Sequence, residues 1–296
     1  MEFGVVVPTV GVGFAEVLDW ARAAEELGFD SLWVVDHLSS TPPAAGILES
    51  WTCLSAIAAV TSRIGIGAQV FCVGFRPPAV LAKMATTLDE VAGGRLRMLV
   101  GAGWNEAEYR GFGLPFRSGA DRIAELEDTV RICRGLWDSG GEPFSYQGSF
   151  WAVDSGINRP APARRIPFGV GGTGARLIGL AAGLADEWNC PAQQLDRYAD
   201  LSRRLDAALV GTGRTVRRSI QTVFNPSGQP VTGRRATYHP ELGLTGPAGR
   251  MADRVAELSA AGVGALYGYV LDRAGLELMG GLLPTLRANA LESRMS

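Results

Sequence analysis

The 296-residue chain has little histidine and almost no lysine, and its cysteines form no metal-binding or redox spacing. Histidine occurs only at His37 and His239, and Lys83 is the single lysine. The four cysteines are widely separated: Cys53, Cys72, Cys133 and Cys190. Without a C-x-x-C pair, the sequence argues against a zinc site and a redox dithiol. We expect free, mostly buried thiols and no metal ion.

Long apolar runs and an excess of positive charge are also missing. No apolar run approaches the roughly 20 residues that a membrane-spanning helix needs, and residues 1–10 lack the basic and apolar regions of a signal peptide. The formal net charge is −2, so neither nucleic acid nor an anionic membrane is favoured as a partner. We therefore expect a cytoplasmic protein that acts on a small molecule.

Short apolar runs alternate with helical patterns along the chain. The predicted strands are Phe3–Val7, Ser31–Val35, Ile64–Cys72, Leu96–Val100, Ile166–Val170, Ala185–Asn189, Ser219–Phe224 and Ala265–Val270. The predicted helices are Phe14–Leu27, Trp51–Ser62, Pro77–Val91, Asp121–Trp137, Gly174–Gly183, Pro191–Leu209, Pro247–Ala261 and Gly275–Leu291. Strict alternation at this spacing requires parallel strands joined by crossover helices. Eight such units predict an α/β fold, a (β/α)8 TIM barrel that forms a single domain over residues 1–296.

Two segments exceed the usual length of barrel connections. Residues 139–165, after the fourth helix, are rich in glycine, proline and aromatic residues, and residues 225–246, after the seventh strand, are rich in glycine, proline and polar residues. Structureless connections of this length are uncommon in compact domains and often carry function. We expect both segments to be lid-like insertions.

In a TIM barrel the chemistry lies at the carboxyl ends of the strands, which directs attention to the residues after each apolar run. The second strand ends in Asp36-His37, and a histidine there can exchange a proton near neutral pH. Alternatively, His37 is packed beneath a loop. Asp36 could orient the ring, although adjacent strand residues point to opposite faces. At the end of the third strand, Cys72 is either a nucleophile or, as we favour, a buried thiol.

The fourth strand ends in Gly101-Ala102-Gly103-Trp104. Glycine weakens a strand end unless something approaches the backbone closely or the chain needs a positive φ angle. We predict that Gly101 and Gly103 make room for a flat cofactor ring and that Trp104 walls its edge. The alternative is that the glycines allow a helix to pack tightly.

Residues 169–174 match G-x-G-x-x-G between a strand and a helix. The backbone N–H groups of Gly171, Gly172, Thr173 and Gly174 could hold a phosphate at the helix N-terminus. A dinucleotide-binding Rossmann fold is a rival, but no acidic residue follows about 20 positions later at the end of a next strand. A glycine-rich packing turn is the other alternative.

Four segments resemble the bacterial luciferase-like flavin and deazaflavin oxidoreductases: residues 33–38, 64–116, 121–138 and 166–189. The resemblance covers nearly the whole chain. It implies a TIM barrel, usually a homodimer, that binds FMN or coenzyme F420 at the strand ends. The predominance of arginine over lysine suggests a GC-rich genome and an actinobacterial source, in which F420 is common.

The resemblance also assigns residues to the cofactor. It implies a non-prolyl cis peptide after the third strand, here between Cys72 and Val73, that backs the middle ring of the cofactor. A small residue followed by valine, and the Asp36-His37 pair, are typical of members that use F420. The chain departs from some members in two ways. Trp104 stands where they have an acid, and Arg176 replaces a phosphate-binding lysine, although arginine can bind phosphate through two hydrogen bonds.

Together these features predict an F420-dependent oxidoreductase that transfers a hydride between the deazaflavin C5 and a small organic substrate, with His37 as the proton-transfer residue. Four aromatic residues either line the substrate space or belong to the core: Trp51, Phe71, Phe75 and Trp188. An FMN-dependent monooxygenase of the same fold, served by a separate reductase, is the first alternative. A catalytically silent barrel that binds a ligand or partner protein is the second, and a Rossmann dehydrogenase the third.

Overall fold

The computed structural model describes residues 1–40 and 45–295, in which parallel strands close into a barrel. In chain order the strands are β1 (Glu2–Val6), β2 (Ser31–Val34), β3 (Gly65–Cys72), β4 (Leu96–Gly101), β5 (Phe144–Gln147), β6 (Ala152–Gly156), β7 (Phe168–Gly171), β8 (Glu187–Cys190), β9 (Arg217–Asn225), β10 (Leu244–Thr245) and β11 (Ala265–Val270). Around the barrel the order is β1-β2-β3-β4-β7-β8-β9-β11, and β11 pairs with β1. The eight-stranded TIM barrel is confirmed. A Rossmann fold is excluded because its sheet is open.

The helices follow the strands at nearly the predicted positions. They are α1 (Phe14–Glu26), α2 (Ser50–Val60), α3 (Pro78–Val91), α4 (Glu106–Gly111), α5 (Gly119–Asp138), α6 (Ala175–Leu184), α7 (Tyr198–Leu209), α8 (Ala248–Ala260) and α9 (Arg273–Met295). The helix predicted over Pro191–Leu209 begins instead as a 3₁₀ turn, Ala192–Arg197, with a kink at Gln194. The short helix α4 was not predicted. Within the described residues, no helix has the length and apolar character needed to cross a membrane.

The amino-terminal end of the barrel is closed by a buried charge network. Arg97 is bonded to Glu2 and, at 2.9 Å, to Glu187, while its guanidinium lies 5.8 Å from the Tyr267 ring centroid. Arg217 bonds to Glu2 at 2.6 Å, and the Tyr267 hydroxyl donates to Glu187 at 2.8 Å. Pairing every charge offsets the cost of its burial. The opening of the barrel is therefore at its other end, where the carboxyl ends of the strands lie.

Strand β3 contains a bulge that shifts its register against β4. Ala68 pairs with Met98 and Phe71 with Val100, so β3 has one residue more than β4 over this interval. The peptide between Gln69 and Val70 is cis. The prediction of a cis peptide at Cys72–Val73 was therefore wrong. Cys72 still pairs with Gly101 as a regular strand residue, because the extra residue is accommodated earlier.

The two insertions lie in different places. In residues 139–165, β5 and β6 form an antiparallel hairpin that packs on α5, where the Tyr146 hydroxyl donates to Asp128 at 2.9 Å. None of this segment lines the cavity described below. Residues 225–246 form 3₁₀ turns and β10 at the carboxyl end of β9, and they contribute Arg235 and Tyr238 to the cavity. Only the second insertion is thus placed where a lid could act.

Candidate active site

A cavity of about 850 Å³ opens at the carboxyl ends of the barrel strands. Each contributing strand supplies residues at or just beyond its end: His37 after β2, Val70 in β3, Gly101 in β4, Gly171 in β7 and Tyr269 in β11. Its volume is in the range of small-molecule and cofactor sites. The closed barrel therefore brings together residues that are more than 230 positions apart in the sequence.

His37 is held at the cavity wall by a buried carboxylate. Its Nδ1 lies 3.0 Å from Oε2 of Glu108, a side chain that is 1% exposed, whereas the imidazole is 24% exposed. The other carboxylate oxygen accepts hydrogen bonds from the backbone N–H groups of Leu38 and Ser39. An ionised carboxylate only accepts hydrogen bonds, so Nδ1 is the donor to Glu108 and, in the neutral imidazole, Nε2 is the nitrogen that can accept a proton. His37 is thereby oriented as a proton acceptor through Nε2.

The role of Glu108 was not predicted from the sequence. This residue belongs to α4, a six-residue helix, and its carboxylate reaches back to the loop after β2. The neighbouring acid, Glu106, is exposed and pairs with Arg110 on the same helix. Trp104 is 54% exposed, lines the cavity and makes an edge contact with the His37 ring at 5.7 Å between centroids.

Asp36 is a buried structural acceptor whose two oxygens are both engaged. Arg76 donates to them at 2.8 and 2.9 Å, Ser50 Oγ donates at 2.5 Å, and the backbone N–H of Cys72 donates at 2.8 Å. The predicted cofactor-binding role of Asp36 therefore has no free carboxylate oxygen to support it. The side chain instead ties the exit of β2 to the exit of β3. Arg76 also bonds Glu49, the N-cap of α2, at 2.7 Å.

The glycines that end β4 and β7, Gly101 and Gly171, make room for a protein side chain. A Cβ on Gly101 would lie 2.6 Å from Cγ2 of Val70, and one on Gly171 would lie 3.0 Å from Cγ1 of the same residue. Both positions need glycine because the bulge in β3 inserts Val70 between them. Val70 occupies the space that a Gly101 side chain would take, and both residues line the cavity. That Gly101 makes room for a cofactor ring stays a prediction.

Gly103 has φ +75°, and a side chain there would meet the hydroxyl of Tyr109 and the thiol of Cys72. A Cβ on Gly74 would meet the same hydroxyl. Tyr109 is thus wedged between two glycines, with its hydroxyl 2.9 Å from the Cys72 sulfur. Burial raises the pKa of Cys72 to about 12. The thiol stays protonated at neutral pH, which argues against the nucleophile alternative.

The glycine turn after β7 only partly reaches the cavity. Gly171 and Gly172 line it, whereas Thr173, Gly174 and Arg176 do not. Helix α6 begins after Gly174 without a side-chain cap, so its first N–H groups are available to an anion. Arg176 is exposed, and its guanidinium donates to the Ala120 carbonyl at 3.3 Å.

The predicted aromatic wall is mostly core. Trp51 and Phe71 stack on each other with ring centroids 4.6 Å apart, and neither lines the cavity. Trp188 is fully buried and donates to the Gly172 carbonyl at 2.7 Å. Val73, assigned to the cofactor, is also buried away from the cavity. Phe75 and Ala102 do line it.

Two amide side chains that line the cavity, Gln69 and Asn189, are hydrogen-bonded to each other, and neither was predicted from the sequence. Gln69 donates to Asn189 at 3.5 Å, and Asn189 donates to Ser219 at 2.9 Å. Gln69 is 6% exposed, and among the described residues its Oε1 has no hydrogen-bond partner. Buried amide oxygens are rarely left in this state, so Gln69 has a free acceptor to offer a ligand.

A known protein family matches most of the chain. The sequence model of the luciferase-like monooxygenase family matches residues 1–227. The chain belongs to this family. It is 29% identical over 247 residues to the F420-dependent glucose-6-phosphate dehydrogenase of Microbacterium testaceum. That alignment covers 81% of this chain and 69% of the relative. It is 33% identical over 176 residues to the pyrimidine monooxygenase RutA of a Bradyrhizobium strain. That alignment covers 57% of this chain and about half of the relative, 48%.

Solved structures share the fold across nearly the whole chain. An F420-dependent secondary alcohol dehydrogenase in complex with an F420–acetone adduct gives a TM-score of 0.83 at 20% identity, covering 97% of this chain and 99% of that one. The oxygenating constituent of 3,6-diketocamphane monooxygenase from Pseudomonas putida, in complex with FMN, gives 0.76 at 17% identity, covering 95% and 96%. At these identities the similarity establishes the barrel fold.

Proposed function

We propose that the protein is a coenzyme F420-dependent oxidoreductase that transfers a hydride between C5 of the deazaflavin and a small organic substrate. The observation that carries the proposal is the His37–Glu108 pair, which holds a proton-transfer group at the wall of a cavity of cofactor size. The Microbacterium testaceum relative, whose name states F420 dependence, aligns with 81% of this chain and supports the choice of cofactor.

Three features of the described residues fit a deazaflavin nucleotide. Val70, between Gly101 and Gly171, offers an uncharged surface to a flat ring. The unpartnered Oε1 of Gln69 can accept a hydrogen bond from a ring imide N–H. The uncapped N-terminus of α6 favours a phosphate. One expected sign of F420 use is not met, because the residue before the valine of the cis peptide is the large Gln69.

When bound, the deazaflavin accepts or donates a hydride at C5. The residues of the chain handle the accompanying proton. In the oxidation of an alcohol, Nε2 of His37 would take the hydroxyl proton as the carbon gives up its hydride. In a reduction, the same nitrogen returns a proton to the carbonyl oxygen. Glu108 acts as a positioning residue through its bond to Nδ1.

The phosphate site and the assembly extend this proposal. We assign the phosphate to the turn from Gly171 to Gly174, with Arg176 beside it as an exposed cation. We also propose that the protein is a cytoplasmic homodimer from an actinobacterial source. The family resemblance favours the homodimer, and the arginine-rich composition favours the source. These finer assignments stay predictions.

An FMN-dependent monooxygenase is the second candidate. It is favoured by the 33% identity to the pyrimidine monooxygenase, and it would need reduced flavin from a separate reductase. Oxygen use separates the two candidates, because the deazaflavin does not activate oxygen.

We predict that the protein mixed with F420 and an oxidisable alcohol loses the absorbance of oxidised deazaflavin without consuming oxygen. Glucose 6-phosphate and 2-propanol are suitable first substrates because the related dehydrogenases are named for a sugar phosphate and a secondary alcohol. The absorbance is followed under nitrogen, and an oxygen electrode records a parallel reaction in air with reduced FMN. Oxygen uptake that depends on the protein and on FMN, with no change in F420, would contradict the proposal.

A further inference from the structure

Arg235 is an arginine of the cavity wall that faces the cavity without a carboxylate partner. It lies in the second insertion, and its guanidinium donates to the Val270 carbonyl at 3.1 Å and lies 5.7 Å from the Tyr269 ring centroid. Among the described residues, no carboxylate is within ion-pair distance of it. Several half-buried arginines elsewhere, Arg76, Arg97, Arg164 and Arg217, each pair with an acid. Arg95 and Arg214 have no acid partner either, but each donates to two or more backbone carbonyls.

The other charges of the cavity are already balanced. Asp36 is neutralised by Arg76, and Glu108 is bonded to His37. Apart from His37, Arg235 is the one basic side chain among the described cavity residues. A partly desolvated cation is costly unless an anion or several acceptors satisfy it, and a backbone carbonyl satisfies only one of its five N–H groups.

Arg235 also lies away from the turn assigned to the cofactor phosphate. Its carbonyl partner, Val270, ends β11, whereas the glycine turn follows β7. Around the closed barrel, β11 is three strands from β7 and two strands from β2, which precedes His37. The cation therefore lies on a different side of the cavity mouth from the glycine turn.

We propose that Arg235 binds an anionic group of the substrate, so that the enzyme acts on organic anions, either carboxylates or phosphate esters. This inference rests on the proposed function. The planar guanidinium can donate two parallel hydrogen bonds to either anion. The guanidinium lies over the ring of Tyr269, and that ring packs against Tyr238 with centroids 5.3 Å apart.

The test uses inorganic phosphate as the probe and the F420-loaded protein as the receptor. With F420 bound, the turn after β7 is occupied, so calorimetry reports on other anion sites. The Kd for phosphate should rise at least about tenfold in Arg235→Gln, as expected for the loss of charged hydrogen bonds. Arg235→Lys should retain part of the affinity. Arg250→Gln, at an exposed arginine outside the cavity, should match the wild type.

Two results would overturn the inference. One is a phosphate Kd that is unchanged in Arg235→Gln, or no phosphate binding to the loaded wild type. The other is a rise in the F420 Kd of Arg235→Gln, which would assign the arginine to the cofactor's own anionic tail. If the wild type binds neither F420 nor FMN, the proposed function fails separately. Phosphate titration of the unloaded protein then decides: loss in Arg235→Gln supports the anion site, and loss only in Arg176→Gln overturns it.

Discussion

Replacing His37 with alanine should lower kcat for hydride transfer about 10²–10⁴-fold, the usual contribution of a positioned proton-transfer group. The Kd for F420 should change less than about threefold, because the hydrogen bond of His37 is to Glu108 and it meets Trp104, which is assigned to the cofactor, only through an aromatic edge contact. Single-turnover kinetics with the substrate identified by the absorbance assay provide kcat, and cofactor fluorescence provides Kd. A kcat within about threefold of the wild type would remove His37 from the mechanism.

The effect of the buried partner can be separated with a matched pair on one helix. Glu108→Gln should lower kcat by less than His37→Ala, because the imidazole stays in place, but the amide has no charge and only one acceptor oxygen to divide between Nδ1 and the backbone N–H groups. Glu106→Gln changes an exposed acid two residues away, and we expect wild-type kcat for it. An equal loss of kcat in Glu108→Gln and Glu106→Gln would indicate damage to helix α4 rather than an effect on His37.

Of the substitutions proposed, those that break the Asp36–Arg76 pair should lower the free energy of unfolding most. Asp36→Ala leaves the Arg76 guanidinium, whose side chain is 11% exposed, without its main counter-charge. Removing one partner of a buried pair costs about 3–5 kcal/mol, which corresponds to a fall in Tm of the order of 10 °C in a domain of this size. Calorimetric or circular-dichroism melting measures the change.

Three variants serve as controls for this result. Arg76→Leu should be destabilised similarly, and the double variant by at least about 0.5 kcal/mol less than the sum of the two. Glu106→Ala breaks an exposed pair with Arg110 and should cost under about 1 kcal/mol. If Asp36 positions the end of β3 without touching cofactor, Arg76→Leu should weaken F420 binding as much as Asp36→Ala. A loss of F420 binding in Asp36→Ala alone would indicate a direct contact between Asp36 and the cofactor.

The barrel could be predicted from the sequence because its signal is repeated and local. Each buried parallel strand reads as an apolar run, and each run is followed by a helical pattern, so an error of a few residues at a boundary does not alter the topology. The hairpin β5–β6 was missed because its strands are only four and five residues long and more than half of their residues are exposed. Its position on α5 depends on tertiary contacts such as Tyr146 with Asp128.

The site could be predicted only where a single position carries the signal. His37 stood out by its rarity and its place after β2, and the structure puts it at the cavity wall. The cis peptide was placed three residues late, because a bulge leaves no trace in the apolar pattern of β3. Glu108 lies on a helix too short to show periodicity. Arg235 lies in an irregular insertion, where the sequence has no helical or strand periodicity that could place a side chain.

Parallel equilibrium titrations with F420 and with FMN test the central claim most directly. The structure supplies an uncharged platform at Val70, a free acceptor at Gln69 and an uncapped helix N-terminus, and the relatives favour the deazaflavin. We predict saturable binding of both, with F420 tighter by at least about tenfold, or 1.4 kcal/mol. Tighter binding of FMN, or no binding of either cofactor by folded protein, would contradict the account.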